Sequence, residues 1–190
     1  MTECRLRNAI MSIVLASLTL VFSCASVNAA QYREVAWVEL MPADDLDALL
    51  NPPESIFDIQ DGSSEDTLDS LGESEGIDEQ RYFEALASTR VVSEFDNTKI
   101  KIPGFVVPLE MKEGTTVTEF LLVPFFGACL HQPPPPPNQI VYVSYAKGIE
   151  LNSYQDAFWL EGKLTIKTTE SDMGTAAYEL AVDNVYPYTE

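Results

Sequence analysis

The stretch KIKIPGFVVPLE, residues 99–110, carries the pattern on which the fold prediction rests. Apolar side chains recur at alternate positions from Ile100, which is typical of a strand. Gly104 interrupts the run where a long strand would bulge or bend to curl around a barrel. The turn Glu113-Gly114 then leads into a second strand, predicted over residues 117–124.

Further strand patterns follow at short, regular intervals. They lie at residues 139–146, 157–168 and 176–186, and a shorter pattern at 91–95 precedes the first long strand. About five long strands within roughly 90 residues favour a small barrel of the oligonucleotide/oligosaccharide-binding (OB) type, with a β-sandwich as the alternative. The predicted fold class is therefore mainly β, with one or two short N-terminal helices.

The barrel-like domain is predicted over residues 91–190, and residues 31–90 form an N-terminal extension. A short helix is expected over residues 44–50 and an amphipathic helix over residues 78–89. The segment between them, residues 54–76, is rich in Asp, Glu, Ser and Gly and contains no Lys or Arg. This composition predicts an acidic loop.

Residues 1–30 have the three-part organisation of a bacterial secretory signal peptide. Arg5 and Arg7 precede an apolar run, residues 9–22, and small residues follow it. Cleavage by signal peptidase I at the small residues is favoured over a lipid anchor at Cys24, because Phe22 is bulky where lipoprotein signals prefer a small residue. We therefore expect a soluble periplasmic protein without a transmembrane helix in the mature chain.

The chain is strongly acidic, with 30 Asp and Glu residues against 11 Lys and Arg residues and a formal net charge of −19. A charge of this sign and size repels phosphate backbones and anionic lipid surfaces. The composition therefore argues against a nucleic acid partner.

The chemically distinctive segment is FFGACLHQPPPPPNQ, residues 125–139. It contains Cys129, the only cysteine beyond the predicted signal peptide, and His131, the only histidine of the chain. Residues two apart on a strand point to the same face, so a thiolate and an imidazole would project together. Both groups are preferred ligands of zinc and copper. Cys129 and His131 are therefore the predicted metal ligands, with further ligands to come from other side chains, water or a partner.

Two other interpretations of this pair stay open. In one, His131 activates Cys129 as the nucleophile of a thiol-dependent enzyme and Asn138 orients the imidazole. This arrangement needs a turn at Leu130, because Cα atoms two apart on a strand lie roughly 6.5 to 7 Å from each other. In the other, Cys129 is a small buried hydrophobe and His131 bonds a backbone carbonyl. The sequence contains no complete catalytic constellation, so a non-catalytic role is favoured.

The proline run is the second candidate site. Five consecutive residues, Pro133, Pro134, Pro135, Pro136 and Pro137, form a stiff left-handed rod. Such a rod docks on aromatic grooves of partner proteins, which makes the five prolines candidate partner-binding residues. The alternative is a rigid spacer between two strands.

Three segments, residues 102–109, 119–131 and 133–143, resemble a family of exported bacterial proteins that is catalogued as a domain of unknown function. The resemblance covers residues 35–186, and its most distinctive motif is Gly-Ala-Cys-x-His followed by a proline run and Asn-Gln. Members are often labelled lipoproteins, and some are encoded beside ABC-transporter components and periplasmic metal-binding proteins. The resemblance therefore implies a metal-linked role for Cys129 and His131.

These observations predict an exported, non-catalytic accessory protein of the bacterial envelope. Its implied task is the handling of zinc or copper, or work with an ABC-type transporter. An interaction module that uses the proline rod and a thiol-dependent enzyme at Cys129 are the alternatives.

Overall fold

The computed structural model of the protein describes residues 32–54, 76–112, 114–127 and 134–189. The predicted signal peptide at residues 1–30 and nearly all of the acidic loop predicted at 54–76 lie outside these ranges. The strands are β1 (Arg33–Glu34), β2 (Thr98–Met111), β3 (Thr116–Val123), β4 (Val141–Glu150), β5 (Ala157–Ser171) and β6 (Gly174–Pro187). The helices are α1 (Ala43–Leu50) and α2 (Ile77–Leu86), with 3₁₀ turns at Trp37–Leu40, Ser93–Phe95 and Pro137–Gln139.

Five strands close into a barrel in the order β2-β3-β4-β6-β5, and β5 pairs back onto β2. All pairs in the ring are antiparallel except β4 and β6, which run parallel. β6 therefore enters between β4 and β5, so the strand order differs from the sequence order. This arrangement confirms the predicted small barrel of OB type with short N-terminal helices, rather than the β-sandwich alternative.

β2 is the strand that two neighbours share. Its first half, Thr98–Phe105, pairs with β5, and its second half, Phe105–Met111, pairs with β3 on the opposite edge. Gly104 lies at the change of partner, where a Cβ atom would stand 2.7 Å from the Leu122 side chain and 2.9 Å from the Val123 carbonyl oxygen. Glycine is required here because the strands approach too closely for any side chain.

The main core fills the barrel and extends under the N-terminal extension, which contributes Val35 and Leu40. Tyr178 of β6 is fully buried in it, on the same face as Leu180, as the alternation of that strand predicts. The Tyr178 hydroxyl donates to the Leu40 carbonyl oxygen and accepts from the Val92 N–H, both at 2.8 Å. One side chain thus connects β6 to two points of the chain that precede the barrel.

The prediction of a strand over residues 91–95 is wrong. Ser93–Phe95 forms a 3₁₀ turn that places Phe95 in the core. The Val92 N–H is bonded to the Tyr178 hydroxyl instead of a neighbouring strand, and Asn97 then adopts a positive φ of 59°. A tertiary hydrogen bond therefore overrides the local β propensity of this segment.

The amphipathic helix predicted over residues 78–89 begins at Ile77 and ends at Leu86. Ser88 lies just beyond its end, where its hydroxyl donates to the buried Asp45 carboxylate of α1 at 2.5 Å. This bond fixes the exit of α2 against α1. None of the helices in the described ranges is long and apolar enough to cross a membrane.

Candidate functional site

An apolar groove of about 250 Å³ opens at the end of the barrel where β3 ends. Its walls come from separate parts of the chain, namely Phe105 and Val107 of β2, Val123 of β3, Phe126 after β3, Tyr154 before β5 and Met173 in the β5–β6 turn. The barrel topology brings these residues together, because the end of β3, the start of β5 and the β5–β6 turn meet at the same end.

Val123, which lines the groove, belongs to a second apolar cluster on the outer face of the sheet. Phe120 and Leu122 of β3 point into the main core, whereas Leu121 and Val123 point to the other face and pack with Ile140 and Ala176. Both faces of β3 are therefore buried, which explains its continuous apolar run. Along the neighbouring β2, an outward row of Phe105, Val107 and Leu109 is only half-buried against this cluster.

Large apolar side chains stay exposed around the groove. Phe126 is 46% exposed, Tyr154 59% and Met173 41%. The Phe126 ring lies 6.3 Å from the Phe105 ring at a tilt of 58°, so the two form one apolar wall. Contiguous exposed apolar surface of this kind marks a site that binds a ligand or a partner.

The outer face becomes acidic with distance from the groove. Glu110 of β2 lies directly opposite Glu119 of β3, and the Tyr142 hydroxyl donates to Glu119 at 2.8 Å. Burial and then the bonded Glu119 raise the pKa of Tyr142 to about 12, with further contributions from Glu179 and Glu110. Within the described part of the chain, no salt bridge reaches Glu110 or Glu119. Like charges opposite each other across strands are unfavourable, so this pair lowers stability unless a cation approaches it.

β2 also has an open edge beside the groove. β5 begins at Ala157, which pairs with Phe105, so beyond Phe105 only the β3 side of β2 is paired. On the other side, the backbone of Val106–Glu110 has no hydrogen-bond partner among the described residues. Pro108 lies within this span, and proline is tolerated in strands where its missing N–H faces an edge.

The model of the protein family described as "Protein of unknown function (DUF3299)" matches residues 37–187. The chain belongs to this family. It is similar to the crystal structure of a DUF3299 family protein from Pseudomonas aeruginosa PAO1, with 36% sequence identity and a TM-score of 0.58. The match covers 84% of this chain and 98% of that one. No curated protein matches the chain significantly. The predicted membership of a family catalogued as a domain of unknown function is thus confirmed, whereas export and the role of the Gly-Ala-Cys-x-His motif stay predictions.

In this DUF3299 protein, the predicted metal ligands Cys129 and His131 lie outside the described residues, as does Pro133. The metal and thiol hypotheses therefore stay predictions. Within the described ranges, no three His, Cys, Asp or Glu side chains are grouped so that they could hold a metal ion.

The described part of the proline run lies on the barrel. Pro134 is exposed, Pro135 and Pro136 are buried, and Pro137 begins the 3₁₀ turn that leads to β4. Two of the candidate partner-binding prolines thus contact the protein itself in this structure. Partner binding by the five prolines stays a prediction.

Asn138 and Gln139 have a role that the sequence alone did not indicate. Both are buried after the proline run, where the Gln139 side chain donates to the Trp37 carbonyl oxygen at 2.8 Å and Asn138 donates to the Arg90 carbonyl oxygen at 3.0 Å. The Trp37 indole in turn donates to the Pro103 carbonyl oxygen at 2.6 Å. The two amides fasten the entry of β4 to the N-terminal extension, and the only sequence signal was two amides directly after five prolines.

Proposed function

We propose that this DUF3299 protein is an exported, non-catalytic accessory protein of the bacterial envelope that acts by binding, with the groove as its binding surface. The observation that carries the proposal is the exposed apolar wall formed by Phe126, Tyr154 and Met173 around a floor of buried apolar side chains. Complete burial of a side chain such as Phe or Met stabilises by roughly 1.5–3 kcal/mol. A bound partner would recover the part of this stabilisation that the free protein leaves unused.

The position of the groove supports the same proposal. OB barrels bind their ligands on the face of the second and third barrel strands and on the loops beside it. The corresponding strands here are β3 and β4. The groove meets this region at Val123 of β3 and at Met173 in the turn between the fourth and fifth barrel strands, whereas four of its lining residues belong to β2, the first barrel strand. This support is an analogy at the level of the fold, and the residues of the groove supply the chemistry.

The test is titration of the full chain with Nile red, an uncharged dye that fluoresces in apolar surroundings. We expect saturable binding that Phe126→Ala and Met173→Ser each weaken several-fold. Met111→Ser is the matched control, because Met111 is 44% exposed but does not line the groove. Equal affinities in all four proteins would contradict the proposal.

A metal-linked role is the second candidate function. Its support comes from the sequence position of the two predicted ligands. Gly127 lines the groove, and Cys129 and His131 follow it by two and four residues. The family resemblance adds an ABC-type transporter component as the candidate partner. Titration with zinc and with Cu(I) tests the role, and we expect Cys129→Ser/His131→Ala to weaken binding strongly. Equal affinity in the wild type and the double variant would eliminate these residues as ligands.

A further inference from the structure

We propose that the open edge of β2 receives an extended, basic segment of a partner protein as an added strand, with an apolar side chain of that segment in the groove. The inference rests on the proposed function and specifies the chemistry of the partner. Three observations carry it: the unpaired edge, the size of the groove and the charge beyond it.

The edge provides main-chain recognition. Beyond Phe105, alternate residues between Val106 and Glu110 present backbone groups to the side of β2 that faces away from β3, and within the described part of the chain no strand pairs with that side. A row of such groups is a template for another strand, and extended peptides bind proteins by adding to sheet edges in this way. Pro108 removes one donor from the row but leaves its carbonyl oxygen free to accept.

The groove provides an anchor for one side chain. Its volume of about 250 Å³ is smaller than the roughly 300–1,000 Å³ of pockets that hold drug-sized ligands, so it suits an apolar side chain rather than a large free molecule. Alternate side chains of an added strand project to one face. Those on the outer face would run beside the half-buried row of Phe105, Val107 and Leu109.

The charge beyond the groove selects a cation. Glu110 adjoins the added strand, and Glu119 lies directly opposite Glu110. Glu110 lies five positions after Phe105, a distance of roughly 16 Å along a strand at 3.3 Å per residue. A Lys or Arg four residues from the apolar anchor therefore reaches these carboxylates and relieves the repulsion between them. The same carboxylates repel nucleic acid, although OB barrels commonly bind it.

The test measures the affinity of the full chain for the acetylated, amidated pentapeptide Phe-Thr-Val-Thr-Lys by isothermal titration calorimetry. Its Phe, Val and Lys side chains share one face of an extended strand. The comparison peptides are the same sequence with Glu in place of Lys and the Lys peptide with N-methylated threonines, which cannot donate backbone hydrogen bonds at those positions. Dodecyltrimethylammonium, measured below its critical micelle concentration, is a further control. It combines an apolar chain with a cationic group but has no peptide backbone that could pair with the edge of β2.

We expect the Lys peptide to bind about fivefold or more tightly than the Glu peptide, a factor set by exposed ion pairs. We also expect Glu110→Gln/Glu119→Gln to remove most of that difference, whereas Glu84→Gln on α2 leaves it unchanged. N-methylation should weaken the Lys peptide strongly.

The outcomes separate this inference from the proposed function. Equal binding of the Lys and Glu peptides, with both weakened by Phe126→Ala, overturns the basic partner and leaves the groove as a binding surface. N-methylated peptide or dodecyltrimethylammonium that binds as tightly as the Lys peptide overturns strand addition. Absence of peptide binding while Nile red still binds overturns the inference alone, and absence of both overturns the proposed function as well.

Discussion

The Tyr178 hydroxyl donates a hydrogen bond to the carbonyl oxygen of Leu40, which lies 138 positions earlier in the chain. The Tyr178 hydroxyl oxygen also accepts from the Val92 N–H, so one fully buried side chain satisfies two backbone groups of the chain that precedes the first barrel strand. Buried backbone groups without partners are costly, and this side chain prevents that cost at two positions.

Tyr178→Phe is therefore expected to destabilise the protein by about 2–4 kcal/mol, because the Leu40 carbonyl and the Val92 N–H both lose their partner. Urea denaturation followed by circular dichroism measures the change. Tyr188→Phe is the control, since Tyr188 is 41% exposed, and it should change stability by less than about 0.5 kcal/mol. Similar changes in stability for the two substitutions would show that the hydrogen bonds of the Tyr178 hydroxyl do not stabilise the fold.

Gly104→Ala is expected to destabilise by about 2–3 kcal/mol, because its Cβ atom would press on the Leu122 side chain and the Val123 carbonyl oxygen. The matched substitution is Gly114→Ala in the β2–β3 turn, where a Cβ atom would meet nothing within 4 Å. There the cost comes only from the positive φ of 80° and should be about 1 kcal/mol. Thermal or urea denaturation ranks the two variants, and the reverse ranking would contradict the close approach at Gly104.

Asn138→Ala should cost about 0.5–1.5 kcal/mol, since it removes the part-buried hydrogen bond that Asn138 donates to the Arg90 carbonyl oxygen. Hydrogen exchange of the amides at the start of β4 should also become faster, because the anchor to the extension is lost. The exposed Asn152→Ala provides the comparison. Unchanged exchange in Asn138→Ala would mean that the proline run alone holds this entry in place.

Tyr142 should ionise only near pH 12, and the difference between the spectrophotometric titrations of the wild type and Tyr142→Phe isolates its phenolate from those of the other tyrosines. Glu119→Gln should lower the pKa of Tyr142 but not return it to 10, because burial is the larger cause. The pKa of Tyr142 is higher in the folded state than in the unfolded state. The contribution of this difference to the stability of the folded state is therefore fully present below pH 10 and is lost as the pH rises from 10 to about 12. The stability of Tyr142→Phe should therefore fall less steeply than that of the wild type in this range. Parallel stability curves for the two proteins would rule out the linkage.

The long strands were predictable because their burial follows the alternation of their side chains. The pattern in residues 99–110 became β2 over Thr98–Met111, and residues 176–186 became part of β6. The segment 91–95 has the same kind of local pattern but forms a turn. The bond between Val92 and Tyr178 that decides its conformation joins residues 86 positions apart, and no local pattern records it.

The groove was not predictable from sequence for a related reason. Phe126 belongs to the segment singled out for its chemistry, but Tyr154 and Met173 are ordinary residues of a loop and a turn until the topology places them beside Phe105. Composition did indicate the acidic character of the protein. It did not indicate that Glu110 and Glu119 lie opposite each other, because that depends on the register shift between β2 and β3.

The entry of β6 between β4 and β5 has a consequence for how the chain acquires its structure. The ring closes only through a strand that follows the four others in the sequence, and its parallel pairing with β4 joins residues about 37 positions apart. Contacts between distant positions slow folding, because the entropy of loop closure is lost before the contacts form. When β2 to β5 have been synthesised but β6 has not, the nascent chain therefore forms at most an open sheet. The inner faces of β4 and β5 then lack their contacts with Tyr178 and Leu180. Folding of the barrel waits for the synthesis of residues 174–187.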